Sequence, residues 1–135
     1  MAVFSPRIVV TDPAVSAEAL PRHVAWRPLS QLLAEADVVS LHANSPCRLG
    51  PLLGREQLAR MKRGSRLVNT ARGHLVDEAA LYEALVSGHL VAAALDVFEE
   101  EPYRGPLAKL SNVLCTPHVA TLTRSSRSAM ELRCA

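Results

Sequence analysis

Residues 67–77 read LVNTARGHLVD, and this stretch joins an apolar run to the start of an acidic, helix-like segment. Leu67 and Val68 predict the end of a buried strand, whereas Asp77 and Glu78 favour the first turn of a helix. Arg72 stands between the two, directly after the strand. A charged residue in that place indicates a crevice beyond the carboxyl end of the strand, which is where open parallel sheets bind ligands.

Short apolar runs alternate with helical patterns along the rest of the chain. The predicted strands span 7–12, 37–42, 66–70, 90–98 and 112–116, and the predicted helices 30–36, 55–64 and 77–88. Ser30 and Asp77 are the predicted N-caps, and Gly64 is the predicted terminator of the middle helix. Strands without polar faces, joined by helices, predict a parallel sheet covered on both sides. The fold class is therefore α/β, of the doubly wound kind.

Composition and charge narrow the class of function. The chain has 135 residues, 49% of them hydrophobic and 21% charged, which is typical of one globular domain. The net charge of +2 comes from scattered residues, so we expect no nucleic-acid partner and no polybasic membrane patch. No apolar run approaches the roughly 18 residues that span a bilayer, and the N-terminus has no signal-peptide pattern.

The cysteines favour a reducing compartment. Cys47, Cys115 and Cys134 are widely spaced and odd in number, which fits neither a disulfide framework nor a metal site. We therefore expect a cytoplasmic protein without a structural metal.

Three ionisable residues, Arg72, Glu101 and His118, follow three of the predicted strands. Because the carboxyl ends of parallel strands meet at one edge of a sheet, we expect these side chains to face one crevice. The arginine fork can hold a carboxylate and polarise the neighbouring carbonyl. The histidine can donate a proton to the carbonyl oxygen as hydride arrives, and the glutamate fixes its tautomer. The trio predicts reduction of a carbonyl beside a carboxylate, with Asp96 as an acceptor for the carboxamide of the cofactor.

Three segments of the chain, taken together, also resemble known sequence motifs. LVNTARGHLVDEAALYEAL, LDVFEEEP and NVLCTPHVA, in this order, resemble successive signatures of the D-isomer-specific 2-hydroxyacid dehydrogenases, which include phosphoglycerate, glycerate and formate dehydrogenases. The resemblance runs from about residue 7 to about residue 133. It implies a Rossmann-like NAD-binding domain and an oxidoreductase that interconverts a small D-2-hydroxy acid and its 2-keto acid.

The resemblance assigns roles to individual residues. In that family the arginine of Asn-x-x-Arg-Gly binds substrate, which falls on Arg72. The glutamate before proline pairs with the histidine of Pro-His, and the aspartate of Asp-Val-Phe contacts nicotinamide. These residues correspond here to Glu101, His118 and Asp96.

Further cofactor contacts are implied beside these residues. They are Thr70, Ala71 and Arg72 after one strand, and His118, Val119, Ala120 and Thr121 after another. Asp12, which ends VVTD, matches the acidic residue that binds the adenosine ribose. A carboxylate there favours NAD over NADP, because it repels a 2′-phosphate.

Two departures from the family pattern stand out. Its Leu-His-x-Pro strand end reads Leu41-His42-Ala43-Asn44 here, with the proline two places late. The Gly-x-Gly-x-x-Gly loop that cradles pyrophosphate is absent, and 11 residues precede Asp12 where about 20 are expected after that loop. We therefore expect residues 1–135 to form a partial NAD-binding domain, a fragment without the first βα unit and without the separate substrate domain.

The sequence leaves other functions open. The same fold serves the C-terminal-binding-protein co-repressors, so a non-catalytic NAD(H)-sensing protein is one alternative. An inactive truncated product is the other. The family is typically dimeric, which makes a homodimer an expectation for this chain.

Overall fold

The computed structural model describes residues 6–43 and 50–119. Within these ranges the chain forms six strands, three α-helices and three short 3-10 turns. The strands are β1 (Ile8–Val10), β2 (Val24–Trp26), β3 (Val38–Leu41), β4 (Arg66–Asn69), β5 (Ala92–Leu95) and β6 (Val113–Cys115). The helices are α1 (Leu29–Glu35), α2 (Arg55–Arg60) and α3 (Glu78–Val86). The 3-10 turns are Ala17–Ala19, Gly73–Leu75 and Pro106–Lys109.

All strand pairing among the described residues is parallel. β1 pairs with β2, with Ile8 opposite Val24. β3, β4, β5 and β6 form a second sheet in that order. β2 was not among the predicted strands, because it is only three residues long and is flanked by the polar side chains of His23 and Arg27. The indole Nε1 of Trp26 donates to the carbonyl of Asp12 at 3.3 Å, which ties the end of β2 to the end of β1.

The strand order corresponds to an open doubly wound sheet with one position lacking a strand. Such sheets have the order 3-2-1-4-5-6. β2 and β1 match the first two places, and β3, β4 and β5 match the last three. Within residues 6–43 and 50–119 no strand lies between β1 and β3. A cleft lined by Val9, Leu32, Ala36 and Val39 takes this place.

The helices cover one face of the larger sheet. Alternate residues of β3, β4 and β5 are buried, beginning with Val39, Leu67 and Ala93. They pack with leucines of the three helices into one core, whose fully buried members include Leu33, Leu58 and Leu81. On the opposite face Val38 is 53% and Leu114 is 65% exposed. In residues 6–43 and 50–119 the helices lie on this one side of the larger sheet, and the cover predicted for its other side stays a prediction.

One of the predicted helix ends is confirmed, and two differ from the structure. The carboxylate of Asp77 caps α3 by accepting from the Ala80 N–H at 2.9 Å. Ser30 is not a cap, because the carbonyl of Pro28 already accepts from Gln31 and Leu32 and the helix begins at Leu29. α2 stops at Arg60, four residues before the predicted terminator, because the chain turns there to bury the Met61 side chain.

None of the helices in the described ranges is long and apolar enough to cross a membrane.

Among the described residues the outer edge of β3 pairs with no strand, which predicts a tendency of the chain to associate. Exposed apolar edge strands pair with other chains, and a lysine on the edge opposes that pairing. We expect Val38→Lys to reduce concentration-dependent self-association, measured by sedimentation velocity, while changing the free energy of unfolding by less than about 0.5 kcal/mol. Val86→Lys is the matched control, since Val86 is 60% exposed but lies on α3. Equal effects of the two substitutions would contradict the edge as the cause.

Candidate active site

The first part of the site is the turn that follows β4. Asn69 ends the strand with a side chain only 1% exposed. Its amide nitrogen donates to the carbonyl of Arg72 at 2.9 Å, and its amide oxygen accepts from the Ala71 N–H at 3.1 Å. The buried amide thus fixes the backbone of Thr70, Ala71 and Arg72 in a tight turn, while the side chains of Thr70 and Arg72 stay exposed.

The second part is a hydrogen-bonded junction centred on Asp96, one residue beyond β5. Asp96 is 4% exposed, and its backbone N–H donates to the carbonyl of Asn69 at 3.0 Å. Its carbonyl accepts from the His118 N–H at 2.9 Å. Its carboxylate accepts from the Val119 N–H at 3.0 Å and from the Thr116 hydroxyl. One buried residue therefore connects the ends of β4, β5 and β6.

The third part is the pair formed by Glu101 and His118. The His118 Nδ1 lies 3.0 Å from Glu101 Oε2. Glu101 Oε1 accepts from the Phe98 N–H at 3.1 Å, which orients the carboxylate. The hydrogen bond with His118, together with that from Phe98, lowers the pKa of Glu101 below its ordinary 4.5. An ionised carboxylate can only accept, so His118 carries its proton on Nδ1 and leaves Nε2 for a ligand.

The backbone of His118 has a conformation that few residues adopt. Its φ is 54°, in the left-handed region that is uncommon for residues other than glycine. The N–H of His118 is held by the carbonyl of Asp96. Strained backbone of this kind clusters at functional sites, where the surrounding hydrogen bonds hold it in place.

The loop that carries Glu101 is anchored on its far side by Tyr103. The rings of Tyr103 and Phe98 stack with centroids 4.1 Å apart. The Tyr103 hydroxyl accepts from the Leu107 N–H at 3.3 Å. The 3-10 turn at Pro106–Lys109 and this stack give order to the long connection between β5 and β6.

Asp12 lies two residues beyond β1, which belongs to the separate two-stranded sheet. Its Oδ1 accepts from the Ala14 N–H at 2.7 Å, and the residue is half-buried. This hydrogen bond fixes the carboxylate at the carboxyl end of β1, while its second oxygen is left for a ligand.

The structure thus brings Asp96, Glu101, His118 and Val119 into one hydrogen-bonded group. Arg72 joins it through Asn69, whose side-chain amide donates to the Arg72 carbonyl and whose own carbonyl accepts from the Asp96 N–H. The Arg72 guanidinium itself donates to the neighbouring carbonyl of Ala71 at 2.6 Å. Ala120 and Thr121, the last of the predicted cofactor contacts, lie outside the described residues.

These residues fit the two ends of a dinucleotide. The crevice beyond β4, β5 and β6 offers exposed backbone at Thr70 and a fixed carboxylate at Asp96, while Asp12 offers a second carboxylate at the end of β1. The sequence holds no glycine-rich loop for the pyrophosphate between them.

A model of the NAD-binding domain of the D-isomer specific 2-hydroxyacid dehydrogenases matches residues 1–120. The chain belongs to that family. It is 49% identical over 109 residues to the glyoxylate reductase of Korarchaeum cryptofilum, covering 79% of this chain and 33% of the relative. It is 44% identical over 123 residues to the D-3-phosphoglycerate dehydrogenase of Archaeoglobus fulgidus, covering 89% and 23%.

A solved member of the family shares the fold. The D-isomer specific 2-hydroxyacid dehydrogenase of Lactobacillus delbrueckii ssp. bulgaricus, in its NAD complexed form, superposes with a TM-score of 0.83 at 33% identity. The match covers 95% of this chain and 43% of that one. These findings confirm the predicted resemblance, the Rossmann-like α/β fold and NAD as the cofactor of the domain. The chain spans a third or less of the two curated relatives described above.

Three residues that help to build the site carry no role predicted from the sequence. Asn69, Gly73 and Thr116 received no role of their own, although each contacts the backbone or side chain of a predicted site residue or loop. The signal for Asn69 was present, because a lone amide at the end of an apolar strand is a polar group in a buried place. The signal for Gly73 lies only in three-dimensional packing.

The Glu101–His118 pair predicts a pKa of Glu101 that can be measured without any ligand. His118→Gln removes the ring that contributes most to the low pKa of Glu101, so we expect this pKa to rise toward 4.5, the remaining lowering being due to the Phe98 N–H. The pKa of Glu101 in both proteins is measured by carboxyl ¹³C NMR titration. The wild-type pair contributes stability that is present above 4.5 and is lost as the pH falls through the lowered pKa of Glu101.

Glu83 supplies an internal control in the same spectra. Its pKa is also lowered by a hydrogen bond, but the partner is Arg55 and not His118. His118→Gln should leave the titration of Glu83 unchanged. An unchanged titration of Glu101 in this variant would show that the hydrogen bond to His118 does not form in solution.

Proposed function

We propose that this domain serves the NAD-dependent interconversion of a small 2-keto acid and its D-2-hydroxy acid. The observation that carries the proposal is the Glu101–His118 hydrogen bond at the end of β6, held next to the Arg72 turn by Asp96 and Asn69. An acid/base pair beside an exposed arginine suits a substrate with a carboxylate adjacent to its carbonyl.

Arg72 is the anchor for the substrate carboxylate. A guanidinium presents two parallel N–H groups that match the two carboxylate oxygens, which a lysine does not. In this structure the guanidinium is exposed and rests on the carbonyl of Ala71. Rotation of the side chain away from that carbonyl frees the fork, while Asn69 keeps the backbone of the turn in place.

His118 is the proton donor in the direction of reduction. Glu101 accepts from Nδ1, so the proton that is transferred to the carbonyl oxygen leaves from Nε2. NADH, when bound, supplies the hydride for the carbonyl carbon. Glu101 keeps the ring oriented before and after the transfer, and the resulting hydroxyl carries the proton from His118.

The cofactor contacts follow from the same framework. The backbone at Thr70 and Ala71 and the carboxylate of Asp96 would hold the nicotinamide end. Asp12 would accept from the adenosine ribose, which favours NAD because its carboxylate repels a 2′-phosphate. The relatives named for glyoxylate and D-3-phosphoglycerate support a substrate class in which the carboxylate is next to the reacting carbon.

An assay of NADH oxidation with glyoxylate tests the roles of the anchor and the acid. We expect Arg72→Ala to lower kcat/KM by about 100-fold or more, with Arg72→Lys recovering only part of the loss. We expect His118→Gln to lower kcat by about 100-fold to 10,000-fold. Arg66→Ala is the matched control, since it removes the same charge from the other end of β4.

Calorimetric titration with NADH separates binding from reaction. Saturable binding that Asp12→Ala weakens would support the cofactor assignment. Binding without reduction of any small 2-keto acid would favour the NAD(H)-sensing alternative. A folded chain that does not bind NADH would contradict the proposed function.

A further inference from the structure

The loop after β5 has a run of three glutamates, Glu99, Glu100 and Glu101, all of them exposed. Like charges in succession repel one another and are usually solvated, which does not by itself give Glu101 a fixed direction. Nevertheless its two carboxylate oxygens bond to the Phe98 N–H and to His118. Something outside the run must therefore hold the backbone of this loop.

One support comes from the backbone of Gly73, which is buried beneath the loop. A Cβ added to Gly73 would lie 1.9 Å from the carbonyl carbon of Phe98 and 2.4 Å from the nitrogen of Glu99. Both neighbours are backbone atoms that cannot rotate away. The 3-10 turn after Arg72 thus lies in direct contact with the chain at 98–99, and only glycine leaves the space.

A second support comes from Glu78, the first residue of α3. Its Oε1 accepts from the Glu99 N–H at 2.9 Å. Glu78 is half-buried, and this burial raises its pKa, with the hydrogen bond from Glu99 acting in the opposite direction. The positive end of α3 favours a negative group at this point. The carboxylate is therefore anchored at the first turn of α3 and has a specific hydrogen-bond donor in the loop.

We propose that Glu78 is a positioning residue for the acid/base pair, holding the Glu99 N–H so that Glu101 faces His118. The inference rests on the proposed function for its consequence in catalysis. The geometry forms one chain of contacts, from Glu78 to the Glu99 N–H, along the backbone to Glu101, and from Glu101 to His118. In this role Glu78 acts on the pair through the Glu99 N–H.

Two substitutions of Glu78 separate position from charge. Glu78→Gln removes the negative charge but keeps an oxygen that accepts from Glu99, whereas Glu78→Ala removes both. Loss of a nearby negative charge lowers the pKa of Glu101, whereas loss of its alignment with His118 raises it toward 4.5. The two causes therefore predict opposite directions for the same measured value.

The test follows Glu101 by carboxyl ¹³C NMR titration and the Glu99 amide by hydrogen exchange. We expect Glu78→Ala to raise the pKa of Glu101 and to accelerate Glu99 exchange about tenfold. Glu78→Gln should keep both close to the wild-type values. Glu78→Met, which retains length and helix propensity without an acceptor, should behave as Glu78→Ala does and serves if the alanine variant does not fold.

Glu56→Ala is the matched control, because Glu56 is exposed at the start of another helix, α2, and pairs with Arg60. It should change neither value. The proposal would be overturned if Glu78→Ala and Glu78→Met left the Glu101 titration unchanged, if Glu78→Gln were as disruptive as they are, or if Glu56→Ala had the same effect.

Neither measurement needs NADH or substrate, so the two proposals can fail separately. A titration that moves as expected in a chain without reductase activity would leave this inference standing and remove the proposed function. Full reductase activity together with an unchanged pKa of Glu101 in Glu78→Ala would support the proposed function and overturn this inference.

Discussion

The buried carboxylate and carbonyl of Asp96 are the interactions on which the site depends. Three strands end at one edge of the sheet, but parallel pairing alone does not fix the residues that follow them. Asp96 receives the N–H groups of His118 and Val119 and the hydroxyl of Thr116, and its own N–H reaches the carbonyl of Asn69. A buried carboxylate is costly unless it is fully hydrogen-bonded, so this residue specifies a single arrangement of the loops around it.

The fold class and the candidate residues could be predicted because they follow from local pattern. Apolar runs of β4 and β5 marked buried strands, and Asp77 marked the start of α3 where the structure has its cap. The order of strands along the chain then placed Arg72, Glu101 and His118 at one edge. Family membership agrees with the motifs that suggested it.

The remainder depended on packing that no local pattern reveals. β2 is three residues long and is not predicted by the sequence, and Ser30 resembles a cap although Pro28 is the N-cap residue of α1. The described helices cover one face of the larger sheet, and the cover of the other face stays a prediction. The contact of Gly73 with residues 98–99 brings together two segments that are distant in sequence.

The Glu101–His118 pair is tested most directly by the tautomer of the neutral His118 ring, measured from long-range ¹H–¹⁵N NMR correlations. We expect a proton on Nδ1, because the carboxylate of Glu101 accepts there and leaves Nε2 free for the substrate. Glu101→Ala should remove this preference. A wild-type ring with its proton on Nε2 would contradict the proposed role of His118, since the pair would then not be formed and His118 would lack the orientation that proton transfer requires.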